Sequence, residues 1–74
     1  MAEIIIKGAG GTIGYPTEVI IKALREAGIT VEVEDDHPCE DVERLLTETK
    51  KRLDSGYIKE WKVVVKTKHL PWGG

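Results

Sequence analysis

Phenylalanine is absent from this 74-residue chain, cysteine and methionine occur once each, and tryptophan and tyrosine twice each. Any core must therefore be built from aliphatic side chains. One cysteine excludes an intramolecular disulfide and fits a reducing, cytoplasmic setting. No apolar run approaches the ~20 residues that cross a bilayer, and Met1-Ala2-Glu3 lacks the basic stretch and apolar core of a secretory signal. These absences predict a cytoplasmic protein with no membrane partner. Nor is there an excess of positive charge: 11 Lys and Arg stand against 13 Asp and Glu, for a net −2, which argues against nonspecific nucleic-acid binding by the whole chain. No repeat, linker or low-complexity segment divides the sequence. The expectation is one small domain, 1–74, with 69–74 a short C-terminal tail.

What the chain does have is a glycine-rich segment. Gly8, Gly10, Gly11 and Gly14 fall within seven residues, between the apolar run Ile4-Ile5-Ile6 and a helical pattern. Glycines placed before a helix can aim several backbone N–H groups at one anion, with the helix N-terminus adding partial positive charge. The phosphate-binding pattern G-x-x-x-x-G-K-[ST] fits poorly. Counted from Gly8, its second glycine falls on Ile13 and its lysine on Gly14; with one residue inserted, Tyr15 takes the lysine position and Pro16 the hydroxyl position. Neither alignment supplies the lysine, so hydrolysis of a nucleoside triphosphate is not expected. The dinucleotide pattern G-x-G-x-x-G accepts Gly8 and Gly10 but finds Gly14 one residue late, although Glu34, Asp35 and Asp36 lie where its acidic residue belongs. Two readings stay open: a connection whose small residues permit close packing, and an anion or nucleotide site without turnover.

Periodicity organises the rest. Ile4–Ile6 reads as a strand covered on both faces. A helix is predicted from Tyr15–Thr17, with Pro16 in its first turn, a stripe of Val19, Ile20, Ala23, Leu24 and Ala27 flanked by Ile21, and Gly28 as its left-handed end. Ile29 to Glu34 alternates with period two, as a second strand does. Asp36 or His37 is placed to cap a second helix with Pro38 at its first position. Cys39, Val42, Leu45, Leu46, Thr49 and Leu53 form that helix's stripe, and Asp54-Ser55-Gly56 stops it. Residues 60–68 alternate again, with Trp61, Val63, Val65 and Thr67 on one face and Lys62, Val64, Lys66 and Lys68 on the other. The predicted fold is α/β: β-α-β-α-β, a mostly parallel three-stranded sheet with two helices. The strand order is 2-1-3, with 2-3-1 as the alternative.

In this pattern the chain resembles P-loop nucleoside triphosphatases, and most of all the very short P-loop-like proteins common in phage and prophage genomes. The likeness is carried by residues 4–12, by the helix end Ala23-Leu24-Arg25-Glu26-Ala27-Gly28, by Val31-Glu32-Val33-Glu34-Asp35 and by Lys62 to Thr67. It implies a nonhydrolysing relative, an accessory protein in which Gly8, Gly11 and Thr12 hold the early loop positions and the lysine position is lost. Fold-level likeness does not assign a function.

Other clusters carry weaker chemistry. Asp35, Asp36, His37, Cys39 and Glu40 crowd ligand atoms near one predicted helix start, but capping accounts for them and too few partners exist for a zinc site. Cys39 sits in the predicted apolar stripe, which favours a packed thiol over a nucleophile. Lys62, Lys66 and Lys68 near Trp61 could face single-stranded nucleic acid, although lysines also guard exposed strands against aggregation. Trp72 in the tail either folds back or docks on a partner. Charge is uneven: residues 1–37 hold seven acids and three Lys or Arg, whereas 38–74 hold six acids and eight Lys or Arg, a polarity that favours head-to-tail self-association or an oriented partner.

The resulting expectation is a small noncatalytic interaction module acting through a protein partner or a homo-oligomer. Trp72, Lys62, Lys66 and Lys68 are its candidate surface, and it has no catalytic residue, metal or required cofactor. The alternative is nucleotide or phosphate binding, with Mg²⁺, by Gly8, Gly10, Gly11, Thr12 and Gly14 together with Asp35 and Asp36.

Overall fold

Helices satisfy their backbone within four residues, and regular structure occurs where the sequence allows that. In the computed structural model, which describes residues 2–71, α1 spans Gly14–Glu26 and α2 spans Val42–Asp54. Pro16 lies in the first turn of α1, where a missing N–H removes no helical bond. At its other end the Gly28 N–H donates to the Arg25 carbonyl and the Ile29 N–H to the Leu24 carbonyl, both at 3.0 Å. Gly28 has φ +85, so this is a Schellman closure built on a left-handed glycine.

The start of α2 corrects the sequence reading. Asp41, not Asp36 or His37, is the N-cap, and its carboxylate accepts from the Arg44 N–H at 3.1 Å. Asp35 instead accepts from the His37 N–H at 2.8 Å, turning the chain before Pro38. Two Asp-containing signals compete here, and the one nearer the periodic stripe starts the helix. Cys39 consequently lies outside the helix and is exposed, contrary to its expected packing. On the outer face of α2, Arg44 pairs with Glu48 at 3.2 Å and Lys50 with Asp54 at 3.1 Å. Both are exposed i,i+4 pairs, each worth roughly 0.3–0.5 kcal/mol. Gly56, at φ +81, ends the helix.

The two helices pack on each other. From α1, Thr17, Ile20, Ile21 and Leu24 turn inward at helical spacing and are half-buried; from α2, Val42, Leu45, Leu46 and Leu53 do the same around Thr49, which is 8% exposed. The buried face of α1 is thus rotated from the expected one. Val19, Ala23 and Ala27 are exposed, because α1 packs on α2 and among the described residues no sheet covers its other side.

The predicted sheet is the principal correction. Among the described residues there is no strand, so the β-α-β-α-β arrangement, the α/β class and both strand orders, 2-1-3 and 2-3-1, are overturned by a two-helix fold. Residues 4–6, 29–34 and 60–68 carry strand-like patterns, yet no backbone hydrogen bond joins one of these segments to another. Alternation qualifies a segment for pairing but supplies no partner, and each pairing must close a long loop before any bond rewards it. Most of their apolar side chains stay in water, with Ile5 70% and Val65 82% exposed, while Ile6, Val31 and Trp61 are half-buried. No apolar residue among those described is fully buried. The Cα radius of gyration is 14.2 Å, against about 11 Å for a compact domain of this length.

Candidate functional site

The glycine segment closes on itself as a turn. The Thr12 N–H donates to the Ala9 carbonyl at 3.1 Å, with Gly11 at φ +84 in the position that requires a left-handed residue. The Thr12 hydroxyl donates to the same carbonyl at 2.6 Å, a second bond that holds the turn closed. Gly8 serves close approach: a Cβ there would lie 2.5 Å from Ile13 Cγ2. Around Gly10 and Gly11, by contrast, an added Cβ meets nothing within 4 Å. Gly14 opens α1 and packs near α2, where its Cβ position is 3.9 Å from Leu45 Cδ2. Ile13 at the N-cap brings no side-chain oxygen to the free amides of the first turn.

An aromatic clasp holds this turn to the C-terminal segment. Trp61 Nε1 donates to the Thr12 carbonyl at 3.1 Å, and its ring sits 5.5 Å from Tyr15 at 50°. Tyr15 is the residue that takes the lysine position when the P-loop pattern is aligned with one insertion. There the structure places an aromatic contact worth about 0.5–1.5 kcal/mol, and no cation. Alternation puts Trp61 on the face of Val63 and Val65, but nothing in the local sequence names partners at residues 12 and 15; only its indole N–H, which needs an acceptor when covered, hints at such a bond.

The remaining candidates are not assembled around the loop. No hydrogen bond or ion pair among the described residues joins Asp35 or Asp36 to Gly8–Gly14. Their expected convergence depended on a parallel sheet with a shared edge, which is not formed. No group of three or more His, Cys, Asp or Glu side chains comes together among the described residues. Lys62, Lys66 and Lys68 are exposed, as are Glu32 and Glu34, and none of the five makes an ion pair among the described residues. Trp72 lies outside the described residues. No helix described is long and apolar enough to cross a membrane.

No protein-family model matches the chain, and no curated protein or solved structure matches it significantly.

Proposed function

We propose that this chain is a small noncatalytic interaction module of the cytoplasm, which covers its apolar segments by binding protein. The observation that carries this reading is exposed area. The chain presents 7109 Å² to solvent, whereas a folded monomer of 8.2 kDa presents about 4500 Å². Much of the surplus is apolar, in Ile4, Ile5, Val63, Val64, Val65 and Leu70, each at least half exposed. Exposed apolar side chains in this number are a feature of surfaces that bind a partner. The self-closed turn at Ala9–Thr12, with its hydroxyl engaged and Tyr15 packed on Trp61, supports binding over chemistry. The resemblance of residues 4–12 to a P-loop without its lysine adds a phage or prophage accessory role to the proposal.

The test pairs two readouts. Immobilised wild-type protein is expected to retain a protein that an Ile5→Asp/Val65→Asp variant of unchanged helicity does not. Amide NMR shifts of Gly8–Gly14 are expected to stay fixed on addition of ATP or GTP with Mg²⁺, with no phosphate released. Identical retention by both proteins, or loop shifts accompanied by turnover, overturns the reading.

A further inference from the structure

Two of the uncovered segments are complementary in a way that specifies their partner. In residues 29–34, Thr30, Glu32 and Glu34 fall on one side of an extended backbone and Ile29, Val31 and Val33 on the other. In residues 61–68, Lys62, Val64, Lys66 and Lys68 share one side and Trp61, Val63, Val65 and Thr67 the other. Side chains alternate with period two in both. Any pairing that sets the glutamates beside the lysines therefore also sets Ile29, Val31 and Val33 beside Val63 and Val65. A slip of one residue puts carboxylates against valines and is disfavoured. Within one chain the two segments share no backbone hydrogen bond and no ion pair, and Ile29, Val33, Val63 and Val65 are 46–82% exposed. Apart from the Ile29 N–H, which closes α1 on the Leu24 carbonyl, both backbones are thus free to bond elsewhere.

We infer that the occupant of these segments is a second copy of this chain: residues 29–34 of one protomer pair as a strand with residues 62–68 of the other, and the reverse pairing follows by twofold symmetry. The acidic segment lies in the negative half of the sequence and the basic segment in the positive half, so like segments repel and unlike ones attract. Two such ladders per dimer cover both sets of apolar side chains at once. The inference rests on the interaction-module reading and names its partner.

Sedimentation equilibrium of the full chain, from micromolar to millimolar concentration, tests it against two variants. Lys62→Glu/Lys66→Glu/Lys68→Glu makes both segments acidic, and Glu32→Lys/Glu34→Lys makes both basic. All five positions are exposed, and far-UV circular dichroism checks that each variant keeps its helices. The wild type is expected to dimerise, less tightly as salt rises. Each variant alone is expected to dimerise about tenfold or more weakly, through the loss of several cross-strand charge pairs. Mixed in equal amounts, the two variants are expected to form a heterodimer of at least wild-type affinity. Pairing within one chain does not yield that rescue. A monomeric wild type throughout, or a mixture that stays monomeric, overturns the inference. Either result leaves the interaction module standing if the wild type still retains a protein that the Ile5→Asp/Val65→Asp variant loses. Loop shifts with nucleotide turnover remove the module reading whatever the oligomeric state.

Discussion

The extended segments are richer in aliphatic residues than the helical pair and yet less buried, and the two differ in how their backbones are satisfied. In α2, Val42, Leu45, Leu46 and Leu53 turn toward α1 and are half-buried, because intrahelical bonds fix the stripe before any tertiary contact forms. In 60–68, three consecutive valines are 50–82% exposed, because an extended backbone holds its side chains in place only when another strand bonds to it. Burial in this molecule follows backbone satisfaction. Hydrophobicity alone does not bring it about. The aromatic clasp marks where the two regions meet: Trp61 opens the extended run yet is half-buried, and the Thr12 carbonyl and the Tyr15 ring account for that difference.

Proline separates the two regimes most sharply. Leu46→Pro removes a backbone donor inside α2 and sets its ring against the preceding turn, at a cost of about 3 kcal/mol or more. Loss of α2 also removes the surface against which Ile20, Ile21 and Leu24 rest, so the thermal transition monitored by circular dichroism is expected to collapse. Val64→Pro strikes a residue 66% exposed whose N–H has no bond to another segment. It is expected to change monomer stability by less than about 0.5 kcal/mol. A comparable loss of helicity in both variants would show that 60–68 supports the helices as much as they support themselves.

The asymmetry also explains what could be read from the sequence. Helix α1 was legible because its signals are local: Pro16 at the start, Gly28 at the end and apolar residues three and four apart. The stop of α2 at Asp54-Ser55-Gly56 was legible for the same reason. Its start was misplaced by four or five residues because Asp36-His37-Pro38 and Asp41 each offer a cap, and only the geometry at Arg44 decides between them. The sheet was misread because the period-two pattern of 29–34 and 60–68 reports a capacity for pairing, while pairing depends on residues far away in sequence. The candidate site failed likewise. Asp35 and Asp36 were placed beside the glycine turn through the sheet, whereas the residue that reaches the turn, Trp61, is 49 positions from Thr12.

Gly8 sharpens the comparison within the turn itself. Gly8→Ala places a methyl 2.5 Å from Ile13 Cγ2 and 3.0 Å from Thr12 Oγ1, so Ile13 must move and the entry into α1 with it. Crowding of this kind costs about 1–3 kcal/mol. Gly10→Ala, two residues on, adds a Cβ in open space at a residue without positive φ, and is expected to fall within about 0.5 kcal/mol of the wild type. Chemical denaturation followed by Trp fluorescence reads both, since the Trp61 indole reports on the turn through Thr12. Equal destabilisation by the two substitutions would indicate a requirement for glycine beyond packing.

Gly14 gives the smallest effect and separates the two readings of the loop. It is the first residue of α1, where glycine is less favourable than alanine by up to about 1 kcal/mol. Its φ is not positive, and an added Cβ meets Leu45 Cδ2 at 3.9 Å, an ordinary contact between the helices. Gly14→Ala is therefore expected to stabilise the helical pair by a few tenths of a kcal/mol, seen as a slightly higher denaturation midpoint with partner binding unchanged. A loop built to hold phosphate needs backbone access at this position, and the same methyl would then weaken a ligand-dependent function while stabilising the fold. Stabilisation with binding intact identifies Gly14 as a point of helix contact.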